Sequence, residues 1–545
     1  MKIIIIINLI LTVKLLSGQV TQEWVATYNG VGVGQNVPKK NLIDKLNNII
    51  VAGRSENLSF NDDFIILKYN SSGNLLWQRR YNGIGNGDDA IAAAVLDDSD
   101  NIYVTGYSQE GTSLGGYNWV TIKYFPNGDT AWKRSFNWTA NTTDEPFAMA
   151  IDKFNNIYIS GYGRTGLPFD DDFITIKYNS NGIREWVNVY ASVVFNTDMS
   201  NSIVVDDSCN VYPSGYGSKL TGNEIITIKY STTGEEKWIR RFPTNYSDIL
   251  RFTLSAVDKY NNVIVNGYYY LGEQYAFNTI KYNSSGDLLW NRIYKGDGNL
   301  NFCFALCTDD SANVYAAGRN TSTGTGNDFL TIKYNQYGDT SWIRIYDGGD
   351  SLHDEIKSIA VDNFENVFVT GVSQSSTIAN MDYLTIKYNS YGDIVWKKKY
   401  NGVGMPFMND ISYAISIDNN GSVIISGNSE LSNTNSGFVT LEYSFITNTL
   451  ENIQSNYSFS FLLQNYPNPF NPITNINYQI AQSGFVTLKI YNLLGKEIET
   501  LINEEKYSGK HIITFNGSNY SSGIYCYSLY FNNTILDTKR MLLIK

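Results

Sequence analysis

Apolar residues in this chain fall into short runs closed by Gly, Asn or Asp, and the runs themselves recur. One unit, residues 354–400, reads "EIKSIAVD", a turn "NFEN", then "VFVTGVS", a variable loop, "DYLTIKYN", a turn "SYGD" and "IVWKKKY". Alternating and β-branched runs between turn residues predict strands. Four of them per unit is the pattern of a propeller blade. The unit recurs along a ruler of Trp residues: Trp24, Trp77, Trp132, Trp186, Trp238, Trp290, Trp342 and Trp396, spaced by 53, 55, 54, 52, 52, 52 and 54 residues. A period near fifty predicts a ring or stack of like units.

Three signatures recur in each unit. The first is an Asp (Asp44, Asp97, Asp152, Asp206, Asp258, Asp309, Asp362, Asp418), followed four positions later by Asn in all but the last unit, where Ser422 stands. Such side chains cap a tight hairpin without any catalysis. A Gly follows (Gly53 in the first unit), suiting a bulge or a close backbone approach. The second signature is "TIKY" or a near variant, whose repeated Lys reads as a solvated or inter-blade charge; Glu442 replaces it in the last unit. The third is a turn Gly followed by the Trp strand, with the indole as an apolar plug between blades. Trp119 and Trp138 lie off the ruler. They are therefore the better candidates for exposed stacking, Trp138 more than Trp119, which aligns with Phe173 and Phe329 on a strand.

The ends of the array are unequal. The chain enters with a lone Trp strand, "EWVATYNG", and the eighth unit stops at "GFVTLEYS" without one. The first strand therefore supplies the missing outer strand of the last blade, which removes the open edges of the ring. The predicted fold is all-β: an eight-bladed β-propeller closed by the N-terminal strand, with seven blades as the alternative.

The composition narrows the setting. The 545 residues hold 41 Tyr, 26 Phe and 45 Gly, which suit strands and turns, and outside the N-terminus no long helical periodicity is found. A net charge of −11 argues against a nucleic-acid partner. Residues 1–18 begin with Lys2 and an apolar run from Ile3, then end in Ser17 and Gly18. That is a secretory signal, and no later apolar stretch is long enough to span a membrane as a helix. The four Cys cannot form a disulfide framework; Cys303 and Cys307 read as buried thiols.

The matches "VDNFENVFVTG" and "DFLTIKYNQYGDTSW" resemble the SBBP β-propeller repeat family of secreted bacterial proteins. The resemblance covers residues 19–445. It implies the fold and a surface location, and it names no activity; its family name implies seven blades, from which the count here departs. Polar residues 446–459 read as a linker. From 460 to 545 the period stops, "NYPNPFNP" gathers proline, and short alternating strands suggest a small immunoglobulin-like β-sandwich. Residues 466–472, 490–495, 522–525 and 539–545 closely resemble the type A C-terminal sorting domain of the type IX secretion system. The resemblance implies that Pro467, Asn468, Pro469, Phe470, Gly495, Gly523, Lys539 and Arg540 carry the sorting signal. It also implies the type IX machinery as partner and passage across the outer membrane.

Chemistry is sparse. The two His, His353 and His511, read as a solvated loop residue and a tail-domain residue. The strongest candidate is an acidic position before the inner strand, occupied by Asp88, Asp144, Asp198, Asp354 and Asp410 in five of eight units. Gathered at one rim of the channel, these carboxylates would hold Ca²⁺ or a basic or polyol ligand. Turn-capping or solvated Asp is the simpler account. No other cofactor is expected. The near-uniform blades favour a non-catalytic scaffold that presents loops to a protein or glycan. The alternative is a secreted hydrolase or lyase with paired carboxylates at the channel mouth.

Overall fold

A computed structural model describes residues 19–446 and 461–545, apart from residues 33, 111–115, 140–141, 165–170, 193–196, 220–221, 245–252, 273, 323, 350–351, 375–379, 403–407, 433–434, 464, 466, 481–482, 494, 508 and 533. The signal reading, residues 1–18, and nearly all of the linker reading therefore lie outside the described residues. The chain separates into two compact units, one of Val20–Ser444 and one that includes Phe445–Lys545.

Among the described residues the larger unit holds eight four-stranded sheets. Sheets 1 to 7 span residues 36–81, 89–136, 144–190, 199–243, 254–294, 302–346 and 354–400, each with its strands in sequence order. Sheet 8 contains Asp410–Ile417, Val423–Ser432 and Asn435–Ile446, and beyond the last of these it takes in Gln19–Tyr28 from the other end of the unit. The first strand of each sheet packs on the first strand of the next, and that of sheet 8 packs on that of sheet 1.

The recurring residues explain this packing. In the first hairpin of sheet 1, Asp44 Oδ1 accepts from the backbone N–H groups of Leu46 and Asn48, and Asp44 Oδ2 accepts from Asn48 Nδ2 at 2.8 Å. Asn47 takes the left-handed conformation (φ 59°) that this turn requires. Gly53 pairs opposite the bulge between Pro38 and Lys40, where an added Cβ would stand 2.3 Å from the Val37 carbonyl oxygen.

The Lys and Trp signatures join neighbouring sheets. Trp77 Nε1 and Lys68 Nζ both donate to the Pro126 carbonyl of sheet 2, each at 3.1 Å. The same pair of donors converges on Ser180, Thr232, Ser284, Gln336 and Ser390 further round. Lys68 is also buried against Asp44 of its own sheet at 2.9 Å, and Lys281 against Asp258 of its own at 2.7 Å, so the repeated Lys is buried rather than solvated, with its ion pair within the sheet and its hydrogen bond to the next. Trp24 repeats the contact at the seam between sheets 8 and 1. Its Nε1 donates to the Ser71 carbonyl at 3.1 Å and to Glu442 at 2.6 Å. Gly73 (φ 77°) lies on its ring, where a Cβ would come within 2.5 Å.

The smaller unit has a three-stranded sheet (Phe461–Leu462, Ile473–Ile480, Gly509–Asn516) and a four-stranded one (Glu497–Lys506, Gly484–Asn492, Gly523–Phe531, Thr534–Leu543). Both contribute to one core, which includes Ile476, Tyr478, Leu488, Tyr527 and Leu543.

Candidate functional site at the sheet junctions

The acidic position opens the first strand of a sheet, where the loop from the preceding sheet arrives. Asp144 Oδ2 accepts from the Trp138 N–H of that loop at 2.7 Å, and Oδ1 accepts from the Arg164 N–H of the second strand at 3.0 Å. Asp198 does the same with Ser192 and Ser218. Asp354 accepts from Gly348 and Asp410 from Gly402, each at 2.6 Å. Each carboxylate thus clamps an arriving loop. All four are no more than 2% exposed, which leaves no open acidic rim at these positions.

Asp88 departs from the expected set. Sheet 2's first strand runs Asp89–Leu96, so Asp89 is the equivalent residue. Asp89 is fully buried and accepts from Gly83 at 2.7 Å and Gln109 at 3.1 Å. Asp88 is exposed and accepts from the Asp62 N–H, at 3.1 Å.

Burial sets the titration of these groups. It pushes the Asp89, Asp144 and Asp410 carboxyls up to about 6, against the pull of the N–H donors; Asp354 is raised by the same cause. An unfolded Asp titrates near 4, so between about pH 4 and 6 the folded chain holds protons the unfolded chain has released. The stability these groups contribute is absent above about pH 6 and grows as pH falls towards 4. Asp44 and Asp97 have lowered values and withdraw their contribution only below about pH 4. The melting temperature is therefore expected to be higher at about pH 5 than at pH 7. Circular dichroism melts at the two values check this, and a lower value at pH 5 would show the N–H donors outweighing burial at these carboxyls.

Two aromatic candidates are not exposed platforms. Trp119 is 1% exposed, packs on Phe136 and donates to the Tyr162 carbonyl, because it sits on a strand under Gly161. Trp138 stacks on Phe136 and lies against Gly163. His353 is not a solvated loop residue. Its Nδ1 faces Asn327 Nδ2 at 2.8 Å, its Nε2 lies 3.8 Å from Glu355, and burial lowers its pKa. Cys303 and Cys307 are free thiols, and burial raises both, Cys303 to about 12, which removes them as nucleophiles.

One junction gathers three carboxylates. Asp328, Asp347 and Asp354 each bring an oxygen within 4.8 Å of the others. Only Asp354 belonged to the sequence pattern. Asp328 and Asp347 lie 26 and 7 residues before it, on a third strand and a loop, so only sheet pairing unites them.

In the smaller unit the proline-rich segment lies along the last strand. Asn468 Oδ1 accepts from the Leu542 N–H at 2.8 Å, the Phe470 N–H donates to the Leu542 carbonyl, and Phe470 accepts from the Ile544 N–H. Phe470 is buried in the core. Gly495 (φ 76°) closes the turn begun by Asn492, Gly523 opens a strand, and Lys539 pairs with Asp537 at 3.0 Å. Arg540 pairs in register with Cys526, and its carbonyl faces Asn468 Nδ2 at 3.5 Å.

Residues 464–545 match the secretion system C-terminal sorting domain. This sorting domain directs the chain across the outer membrane, to the cell surface or the extracellular space, with the type IX machinery as its partner. Among the described residues no helix is long and apolar enough to cross a membrane.

No curated protein matches the chain. Solved structures similar to it include a fungal alcohol oxidase of the AA5 family in complex with copper (11% identity, 97% of this chain and 100% of that chain, TM-score 0.45). Another is the β-propeller domain of the Trilobed protease from Pyrococcus furiosus (8%, 66% and 95%, TM-score 0.38). A third is a PL25 ulvan lyase (12%, 77% and 95%, TM-score 0.41). None of these likenesses carries an argument about what this chain does.

Proposed function

We propose that residues 19–445 form an eight-bladed β-propeller of the SBBP repeat type, closed by the N-terminal strand. Residues 1–18 are its removable leader, 446–459 its linker and 460–545 its sorting domain. In this reading the propeller is a non-catalytic scaffold that presents loops to a protein or glycan outside the outer membrane.

The closure is supported by the pairing of Gln19–Tyr28 in sheet 8 and by Trp24, which treats sheet 1 as Trp77 treats sheet 2. The observation that carries the non-catalytic reading is the use of the acidic positions. A glycosidase needs two carboxyls facing one bond, one of them free to move a proton. Asp89, Asp144 and Asp198 instead spend both oxygens on buried backbone donors. A glycan array with the mature full-length chain, followed by mass spectrometry of any bound oligosaccharide, tests this. Binding without product is the expected result. Release of shortened or unsaturated oligosaccharides overturns it in favour of a hydrolase or lyase.

A further inference from the structure

Where an acid of the third strand is balanced at a junction, a basic residue of the fourth strand does it, as Arg80, Arg241 and Lys399 do in sheets 1, 4 and 7, whereas Val189 of sheet 3 and Ile345 of sheet 6 bring no charge. At the junction of sheets 1 and 2, Asp63 of the third strand lies near Asp89 of the next sheet, and Arg80 of the fourth strand neutralises it at 2.7 Å. At the junction of sheets 7 and 8, Asp382 and Asp410 repeat the arrangement with Lys399 as the cation. The register shows these cations to be equivalent: Arg80 pairs with Ile65, and Lys399 with Leu384, in each case two residues after the Asp.

At the junction of sheets 6 and 7 the same register places Ile345 opposite Leu330, two residues after Asp328. The cation is missing there. The loop adds negative charge as well, because Asp347 stands two residues after Ile345, where Asn82 and Asn401 stand two residues after Arg80 and Lys399. Lys399 attracts Asp354, yet it also serves Asp382.

The three carboxylates keep oxygens to spare. Asp328 is 1% exposed; its Oδ2 accepts from Thr325 Oγ1 at 2.8 Å, while its Oδ1 is buried with no hydrogen-bond partner among the described residues. Asp347 Oδ1 accepts from the Gly349 N–H at 3.0 Å. Asp354 has the Gly348 N–H on Oδ2 and the Ser373 hydroxyl beside it. Burying an orphaned carboxylate oxygen next to two other carboxylates is costly unless a cation sits among them.

We propose that Asp328, Asp347 and Asp354 form a Ca²⁺ site that joins sheet 6 to sheet 7 in place of the missing basic side chain. The donors are all hard carboxylate oxygens, the set Ca²⁺ takes at about 2.3–2.6 Å, so two oxygens on one ion stand at most about 5 Å apart. Sites of this kind on exported modules bind at about 10⁻⁴–10⁻³ M, matched to the extracellular medium this chain enters.

The test is a thermal melt of the mature full-length chain, stripped with EDTA and then given about 2 mM Ca²⁺ or Mg²⁺, with Tb³⁺ luminescence as a second readout. Wild type is expected to melt several degrees higher in Ca²⁺ and to bind Tb³⁺, which Ca²⁺ displaces. Asp328→Asn should lose both responses. Ile345→Arg supplies the cation that Arg80 and Lys399 provide at their junctions, so it should melt in EDTA close to wild type in Ca²⁺ and no longer respond to the ion. It keeps the test decisive if Asp328→Asn fails to fold. A wild-type melt indifferent to Ca²⁺, or a Ca²⁺ response that survives Ile345→Arg, overturns the site.

Discussion

Trp24→Ala is expected to destabilise the larger unit by about 2–4 kcal/mol, somewhat below the loss for a fully buried Trp because the indole edge reaches solvent. Three contacts go at once. The ring leaves Gly73 uncovered, the Ser71 carbonyl loses a donor, and Glu442, which burial already raises, loses its indole partner. Trp24→Phe separates these effects, since it keeps a ring on Gly73 and removes only the N–H, for about 1 kcal/mol. The measurement is urea unfolding of the mature chain, with limited proteolysis around residues 19–28. If the seam closes the array, Trp24→Ala also exposes that strand to protease, while Trp290→Ala at an interior junction lowers stability without doing so. Unfolding curves and cleavage patterns that match wild type would show that the first strand does not seal the array.

Ending the chain after residue 458 is expected to abolish appearance outside the outer membrane while leaving a folded larger unit in the periplasm. The sorting domain match begins at residue 464, and the larger unit ends at Ser444, so the cut removes one compact unit and spares the other. A milder version tests the clasp within the domain. Phe470→Ala empties a core position and loosens the segment from the last strand, and it should cost about 3–5 kcal/mol in that unit and reduce export. Fractionation with an antibody against the larger unit reads both. Finding the truncated chain at the cell surface would remove the export role from these residues.

The array was legible because its signals are local. An Asp, an Asn four residues on and a Gly decide a hairpin within one stretch of chain, and Asp44, Asn48 and Gly53 do what their spacing implied. The unequal ends were legible for the same reason. Junction chemistry was less so. Asp88 and Asp89 are adjacent acids, and the spacing to the hairpin Asp picks out Asp89, which precedes Asp97 by eight residues as Asp144 precedes Asp152. Trp119 breaks the period yet aligns with Phe173 and Phe329 on a strand, and that strand carries it into the core. The trio of Asp328, Asp347 and Asp354 left no motif, since its members come from two sheets and a loop. The trace it did leave is comparative: Ile345 occupies a position that is basic in Arg80 and Lys399.

The strand Asn435–Ile446 has neighbours on both flanks, Val423–Ser432 on one and Gln19–Tyr28 on the other. In a cell-bound chain gripped by its C-terminal segment, mechanical load enters the larger unit along this strand. Peeling it away means rupturing two hydrogen-bonded ladders together, so shear flow pulls on an interior strand of its sheet rather than on a loose margin.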